Sequence, residues 1–314
     1  MVKFSIFLLG TLCLAPLDAH RILTGTTSTS APRTTTTPSA PVIDNNVIWG
    51  SQNAVGGNLN TLTGNLNTVL GTYNNVQGNS NIALGSVNSI LGSLNTIGGN
   101  YNQVAGNYNS AAGSVNTVVG SGNGLIGNYN SVLGDLNNLQ GSSNQIKGSV
   151  NTVSGDLNTI ANGNYNVLSG NQNIVNNGNY NGVLGNANYL QGSMNTVSGD
   201  VNNLVGNYNL VAGSGNYLGG NGNQVAGNVN QVVGSVNSVV GNCNAVNGNQ
   251  NAIQGNANTL QGSQNNMAGS VNTVLGNQNG ILGNYNSVLG SQNSAIGDMN
   301  SIFGNQNLAA GVKN

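Results

Sequence analysis

The seven residues Gly283-Asn284-Tyr285-Asn286-Ser287-Val288-Leu289 state the rule by which most of this chain is written. With Gly as position 1, every copy carries Gly at position 1, Asn at position 4 and an apolar residue at position 6. Sixteen copies start at intervals of seven from Gly50 to Gly155, nineteen from Gly178 to Gly304, and two irregular ones start at Gly163 and Gly170. Position 2 is Ser, Asn, Asp or Thr, whereas positions 3, 5 and 7 vary. The constraint therefore lies on one parity.

A period of seven first suggests a coiled coil, and that reading fails on energy. Each heptad would put a Gly, at about 1 kcal/mol, and an Asn, at up to roughly 0.7 kcal/mol, inside a helix while offering one seam residue instead of two. A strand and a turn per heptad fit better. In an extended segment positions 2, 4 and 6 share a face, so a small polar residue, an Asn and an aliphatic residue are all expected to look inward. Gly at position 1 then supplies the corner, where φ is positive or another backbone comes too close for a Cβ.

Repeats this short cannot close a core alone, so they must stack as a solenoid. Ordering seven residues costs more than burying one aliphatic side chain returns, and ladder hydrogen bonds must supply the rest. Position 4 is Asn for this reason: stacked amides can donate to one neighbouring copy and accept from the other. Ala161-Asn162 and Asn176-Asn177 each stand where a regular copy has one residue. In coils of two heptads these insertions fall on the same corner of adjacent coils; in triangular coils of three heptads they would not. The fold class expected is all-β: a flat β-roll of 14-residue coils, with about eighteen coils in a rod on the order of 85 to 90 Å long.

The pair Gly113-Ser114-Val115-Asn116-Thr117-Val118-Val119 and Gly120-Ser121-Gly122-Asn123-Gly124-Leu125-Ile126 resembles the head repeats of bacterial trimeric autotransporter adhesins. Those heads are β-rolls of heptads with Gly at the turn, so the resemblance implies a β-roll and an adhesive role. The fixed Asn is stricter here than in that family, and trimerisation and a host ligand are not carried over.

Residues 1–19 read as a secretory signal peptide, with Lys3 followed by the apolar run from Phe4 to Leu14. A secreted, extracellular or cell-surface protein is expected, with no membrane span, since no run is long and apolar enough. Residues 20–41, with Thr34 to Thr37 and Pro32, Pro38 and Pro41, read as a disordered Thr/Ser/Pro-rich linker suited to O-linked sugars. Within it, Arg21-Ile22-Leu23-Thr24 departs at its last residue from the Arg-x-Leu-Arg targeting motif that it resembles. Residues 42–49, including Val42, Ile43, Val47, Ile48 and Trp49, suit a cap over the open end of the roll. The heptad domain is then 50–314.

Chemistry is scarce in this composition. Charged residues make up 4% of the chain and the net charge is −1, which leaves no basic stripe for nucleic acid. His20 is the only His, so a copper site at a processed N-terminus lacks its second ligand. Asp135, Asp156, Asp200 and Asp298 all stand at position 2 and read as corner substitutions, not calcium ligands. Cys243 has no partner once Cys13 leaves with the signal peptide, and it reads as a free thiol. No constellation for acid/base or nucleophilic work is present; a non-enzymatic protein without cofactor or metal is expected. No Asn-x-Ser/Thr sequon occurs, because the repeat places Asn or an aliphatic residue where the hydroxyl would stand.

The leading expectation is a secreted structural or surface repeat protein, adhesive through exposed tyrosines at position 3: Tyr101, Tyr108, Tyr129, Tyr208 and Tyr285. Such rings among Asn, Gln and Ser suit carbohydrate or another cell-surface partner. Two further expectations belong to different classes. One is ice binding, since a flat solenoid with polar ladders can order water and Thr61, Thr68, Thr117, Thr152 and Thr273 recur at position 5. The other is self-association into filaments, since little after Leu308 could cap the last strand edge.

Overall fold

The computed structural model describes residues 45–312. The expected signal peptide, the linker with His20, and Val42 and Ile43 of the expected cap lie outside the described residues, as do Lys313 and Asn314. The described residues form 38 strands of three residues each, from Val47–Trp49 to Leu308–Ala310. Alternate strands build two parallel sheets of 19 strands. One, hereafter the first sheet, starts at Val47–Trp49; the second starts at Ala54–Gly56.

Partners in each sheet are 14 residues apart, as Thr61 is to Asn75 and Thr68 to Ile82, so one coil is two heptads. The expected roll is thus the observed one, with about 19 turns. The insertions also stack as expected. Thr159 pairs with Ile174 and Ala161 with Asn176, and the inserted Asn162 donates to Asn177 Oδ1 at 3.2 Å. Both inserted residues take the left-handed turn, at φ 56° and 49°.

Positions 5 to 7 are the strand, and position 6 is the core. From Leu62 to Ile302 every position 6 side chain is at most 4% exposed. Position 4 is equally buried, from Asn60 to Asn300. Position 2 corrects the parity argument: Asn65, Asn79 and Asn107 are exposed rather than inward. The reason is position 3, which is left-handed at every copy, as at Leu59 (φ 59°) and Tyr73 (φ 60°). One αL residue reverses the chain direction, so alternation holds only from position 4 onward. Position 2 side chains lie instead along the corner, where Asn65 Oδ1 accepts from Ser51 N–H at 2.7 Å and Asn79 Oδ1 from Asn65 N–H at 2.8 Å.

The buried Asn does more than the amide ladder requires. Asn74 Nδ2 donates to Asn60 Oδ1 at 3.0 Å and to the Gly85 carbonyl at 2.8 Å. Its Oδ1 accepts from the N–H and Nδ2 of Asn88, at 3.0 and 3.1 Å. Two donors and two lone pairs are all used, and no buried side-chain polar atom among the described residues lacks a partner. Ser lacks the amide donors and Gln is one methylene too long for this geometry, which accounts for the strictness of position 4.

Of the residues expected to cap the roll, Val47–Trp49 forms the first strand itself, in register with Thr61–Thr63. Ile48 stands at a core position yet is 45% exposed, because no coil lies beyond it among the described residues.

Candidate functional site

Since the interior is filled and the corners are committed to hydrogen bonds, the surfaces left for recognition are the two sheet faces, made by positions 5 and 7, and the edges, made by position 3. Parallel pairing without slippage puts equivalent side chains in straight columns, at about 4.8 Å per coil. The hollows on the faces are shallow troughs between the position 5 and position 7 columns. One, above Val246 and Leu260, is lined by Gln231, Val233, Ala245, Asn247, Thr259 and Gln261.

The position 5 threonines do not gather on one face. Thr61, Thr117 and Thr273 belong to the first sheet, Thr68 and Thr152 to the second. The longest run of consecutive hydroxyls lies at the C-terminal end of the first sheet, where Thr259 pairs with Thr273, Thr273 with Ser287 and Ser287 with Ser301. Beside it in position 7 stand Gln261, Leu275, Leu289 and Phe303, the last three 44%, 44% and 72% exposed. This strip alternates a hydroxyl-bearing column with a largely apolar one on a flat backbone. The 14-residue spacing of these residues is visible in the sequence; their shared face needed the two-heptad coil.

The five candidate tyrosines are all exposed, at 60 to 67%. Tyr101, Tyr129 and Tyr285 lie on the edge that leads into the first sheet, Tyr108 and Tyr208 on the opposite edge. The structure brings no two of them into ring contact. It does stack Tyr165 on Tyr180, with centroids 4.8 Å apart and planes at 2°. A second edge feature is a chain of exposed amides: Gln264, Gln278, Gln292 and Gln306 each donate Nε2 to the Gln one coil earlier, beginning at Gln250, at 3.0 to 3.2 Å.

Charge contributes little to any of these surfaces. Asp135, Asp156, Asp200 and Asp298 accept backbone N–H bonds at 2.6 to 2.7 Å from Ser121, Ser142, Asn186 and Asn284, the same task that Asn or Ser performs elsewhere at position 2. Among the described residues no group of three or more His, Cys, Asp or Glu could hold a metal ion. Cys243 is exposed on the first-sheet edge.

The family model of the grass antifreeze β-roll matches residues 23–120 and 153–248, more than half of the chain. The chain belongs to the grass antifreeze β-roll family. No curated protein gives a match. The β-roll implied by the resemblance to adhesin heads is present, but the family that matches is the antifreeze roll. In this antifreeze-family roll the inserted residues Asn162 and Asn177 fall within the second matched segment, and the coil absorbs them without losing register on either side.

Proposed function

We propose that this chain is an extracellular ice-binding protein and that the strip from Thr259 to Phe303 on the first sheet is its principal ice-contacting surface. The observation that carries the ice-binding reading is the antifreeze β-roll match, which ends at residue 248; the choice of the strip rests on its run of hydroxyls, Thr259, Thr273, Ser287 and Ser301. The physics of the surface supports it. An ice face is a flat, repeating array of water oxygens, and a protein that adsorbs to it gains from many small contacts only if they are held in a plane at a fixed spacing beforehand. The corner ladders provide that rigidity, and the paired columns offer hydroxyls to hydrogen-bond surface water and methyl or aliphatic groups to lie against it. A surface with few charges does not hold a tightly bound hydration layer of its own. No catalytic role or cofactor enters this reading.

The test is the shape and growth of a single ice crystal in a solution of the folded full chain. Faceting and arrested growth are expected, and round, freely growing crystals would sink the proposal. A second reading, contact with glycans through Tyr101, Tyr108, Tyr129, Tyr208 and Tyr285, is favoured by their exposure. A glycan array probed with the wild-type chain and with the five-fold Tyr→Ser variant tests it; equal signals exclude it.

A further inference from the structure

We propose that the edge leading into the first sheet binds an extended β-1,4-linked pyranose chain along Tyr73, Tyr101 and Tyr129, a site that rests on the glycan reading above and narrows it to one edge and one linkage. A longer period runs through the heptads here. Positions 1 to 3 of successive coils read Gly71-Thr72-Tyr73, Gly85-Ser86-Val87, Gly99-Asn100-Tyr101, Gly113-Ser114-Val115 and Gly127-Asn128-Tyr129. Every second coil therefore presents a tyrosine, just before the strands Asn75–Gln77, Gln103–Ala105 and Ser131–Leu133. The three rings are 60 to 65% exposed, and Val87 and Val115 lie between them at 40 and 41%.

The backbone holds these side chains in one straight column. All five position 3 residues have φ between 59° and 62°. Each N–H donates to a position 2 carbonyl one coil earlier: Tyr101 to Ser86 at 3.0 Å, Val115 to Asn100 at 2.9 Å and Tyr129 to Ser114 at 3.0 Å. Neighbouring tyrosines are thus two coils apart, about 9.6 Å at roughly 4.8 Å per coil. That spacing gives each ring room to lie flat against the edge. Tyr165 and Tyr180, one coil apart on the opposite edge, are instead stacked with centroids 4.8 Å apart, so each covers a face of the other.

A flat-lying tyrosine attracts the axial C–H groups of a pyranose, whose weakly positive hydrogens meet the negative face of the ring. In a β-1,4-linked glucan both bonds to each ring are equatorial, so the chain runs straight and successive residues present opposite faces. Alternate residues then offer the same face at the disaccharide spacing, which two coils match. Donors for the sugar hydroxyls recur with the same period. Asn100 Oδ1 accepts from Ser86 N–H and Asn128 Oδ1 from Ser114 N–H, each at 2.8 Å. Both side chains are exposed, and neither Nδ2 has a hydrogen-bond partner among the described residues, which leaves an amide donor beside Tyr101 and another beside Tyr129.

Titration calorimetry of the full chain with cellohexaose tests the proposal, with cellobiose and maltohexaose for comparison. Cellohexaose is expected to bind, and cellobiose at least about a hundredfold more weakly because it reaches a single ring. Maltohexaose should not bind, because its α-linkage curves the chain away from the column. Val87→Tyr combined with Tyr101→Val moves the middle ring by one coil, keeping the composition and breaking the spacing. That variant should keep the circular dichroism spectrum and bind cellohexaose about tenfold more weakly. Tyr165→Ser with Tyr180→Ser should bind it as the wild type does. Equal binding of cellohexaose and maltohexaose, wild-type affinity in the shifted-ring variant, or loss of binding in the Tyr165 and Tyr180 variant overturns the proposal while the broader glycan reading stands. No binding of cellohexaose overturns it too, and the broader reading falls with it only where the glycan array is also blank.

Discussion

A Cβ built on Gly141 would lie 2.1 Å from the carbonyl oxygen of Gly155, one coil further along. Backbone therefore meets backbone at the corner, and Gly141 also holds φ at 129°, where side chains are strained. Gly141→Ala is expected to destabilise the roll by more than about 4 kcal/mol or to abolish recovery of folded protein. Gly98 stands at position 7 with nothing within 4 Å of its missing Cβ. Gly98→Ala should shift stability by no more than about 0.5 kcal/mol, so urea unfolding of the two variants separates corner glycines from incidental ones.

Asn130 sits mid-ladder, donating to Asn116 Oδ1 at 3.1 Å and the Gly141 carbonyl at 2.8 Å while accepting two bonds from Asn144. Asn130→Ala strands several buried polar groups at about 1 to 3 kcal/mol each. A loss of at least about 3 kcal/mol is expected by chemical denaturation. Asn307→Ala, at the partly exposed end of its column, should cost distinctly less.

Asn162 and Asn177 each lengthen one coil, and each matches the other. Deleting either alone leaves a 15-residue coil against a 14-residue one, so the corner loses the Asn162–Asn177 bond and the N–H of Asn177 to the Ala161 carbonyl at 2.8 Å. Deleting both restores the regular repeat. The double deletion is expected to melt at a higher temperature than either single deletion, a departure from the additivity expected of independent sites.

For ice, the two faces should differ. Thr273→Lys places a hydrated charge in the hydroxyl column of the first sheet, and Asn266→Lys puts the same charge on the second sheet. Both positions are exposed, so neither variant should change the circular dichroism spectrum. Thr273→Lys should lose most of the arrest of crystal growth and Asn266→Lys should keep it; equal losses would place the contact elsewhere.

The regular corner, the buried Asn and the aliphatic core were legible because each is a local demand repeated in every copy: a backbone too close for a Cβ, an amide that must be satisfied, an apolar side chain that must be covered. The inserted Ala161-Asn162 and Asn176-Asn177 even revealed the coil length, since stacked irregularities must share a corner. Position 2 was misread because alternation was carried through the corner, where the αL residue at position 3 reverses it. That conformation leaves no mark in the sequence, for Leu59, Tyr73, Val87 and Ser80 all adopt it. The candidate surface was the least legible part. The threonines at position 5 are equivalent in the heptad, yet Thr61 and Thr68 face opposite sides of the roll.

By itself the sequence determined the class of fold, the coil of two heptads, the residues of the core and the corner, and the poverty of chemistry outside them. Only the tertiary structure decided which variable residues share a face or an edge: Thr259 with Thr273, Gln292 with Gln306, Tyr165 with Tyr180. The physical reason is that the heptad is the unit of local conformation whereas the coil is the unit of contact. Residues seven apart obey the same rule on opposite sides of the molecule, and those 14 apart lie side by side.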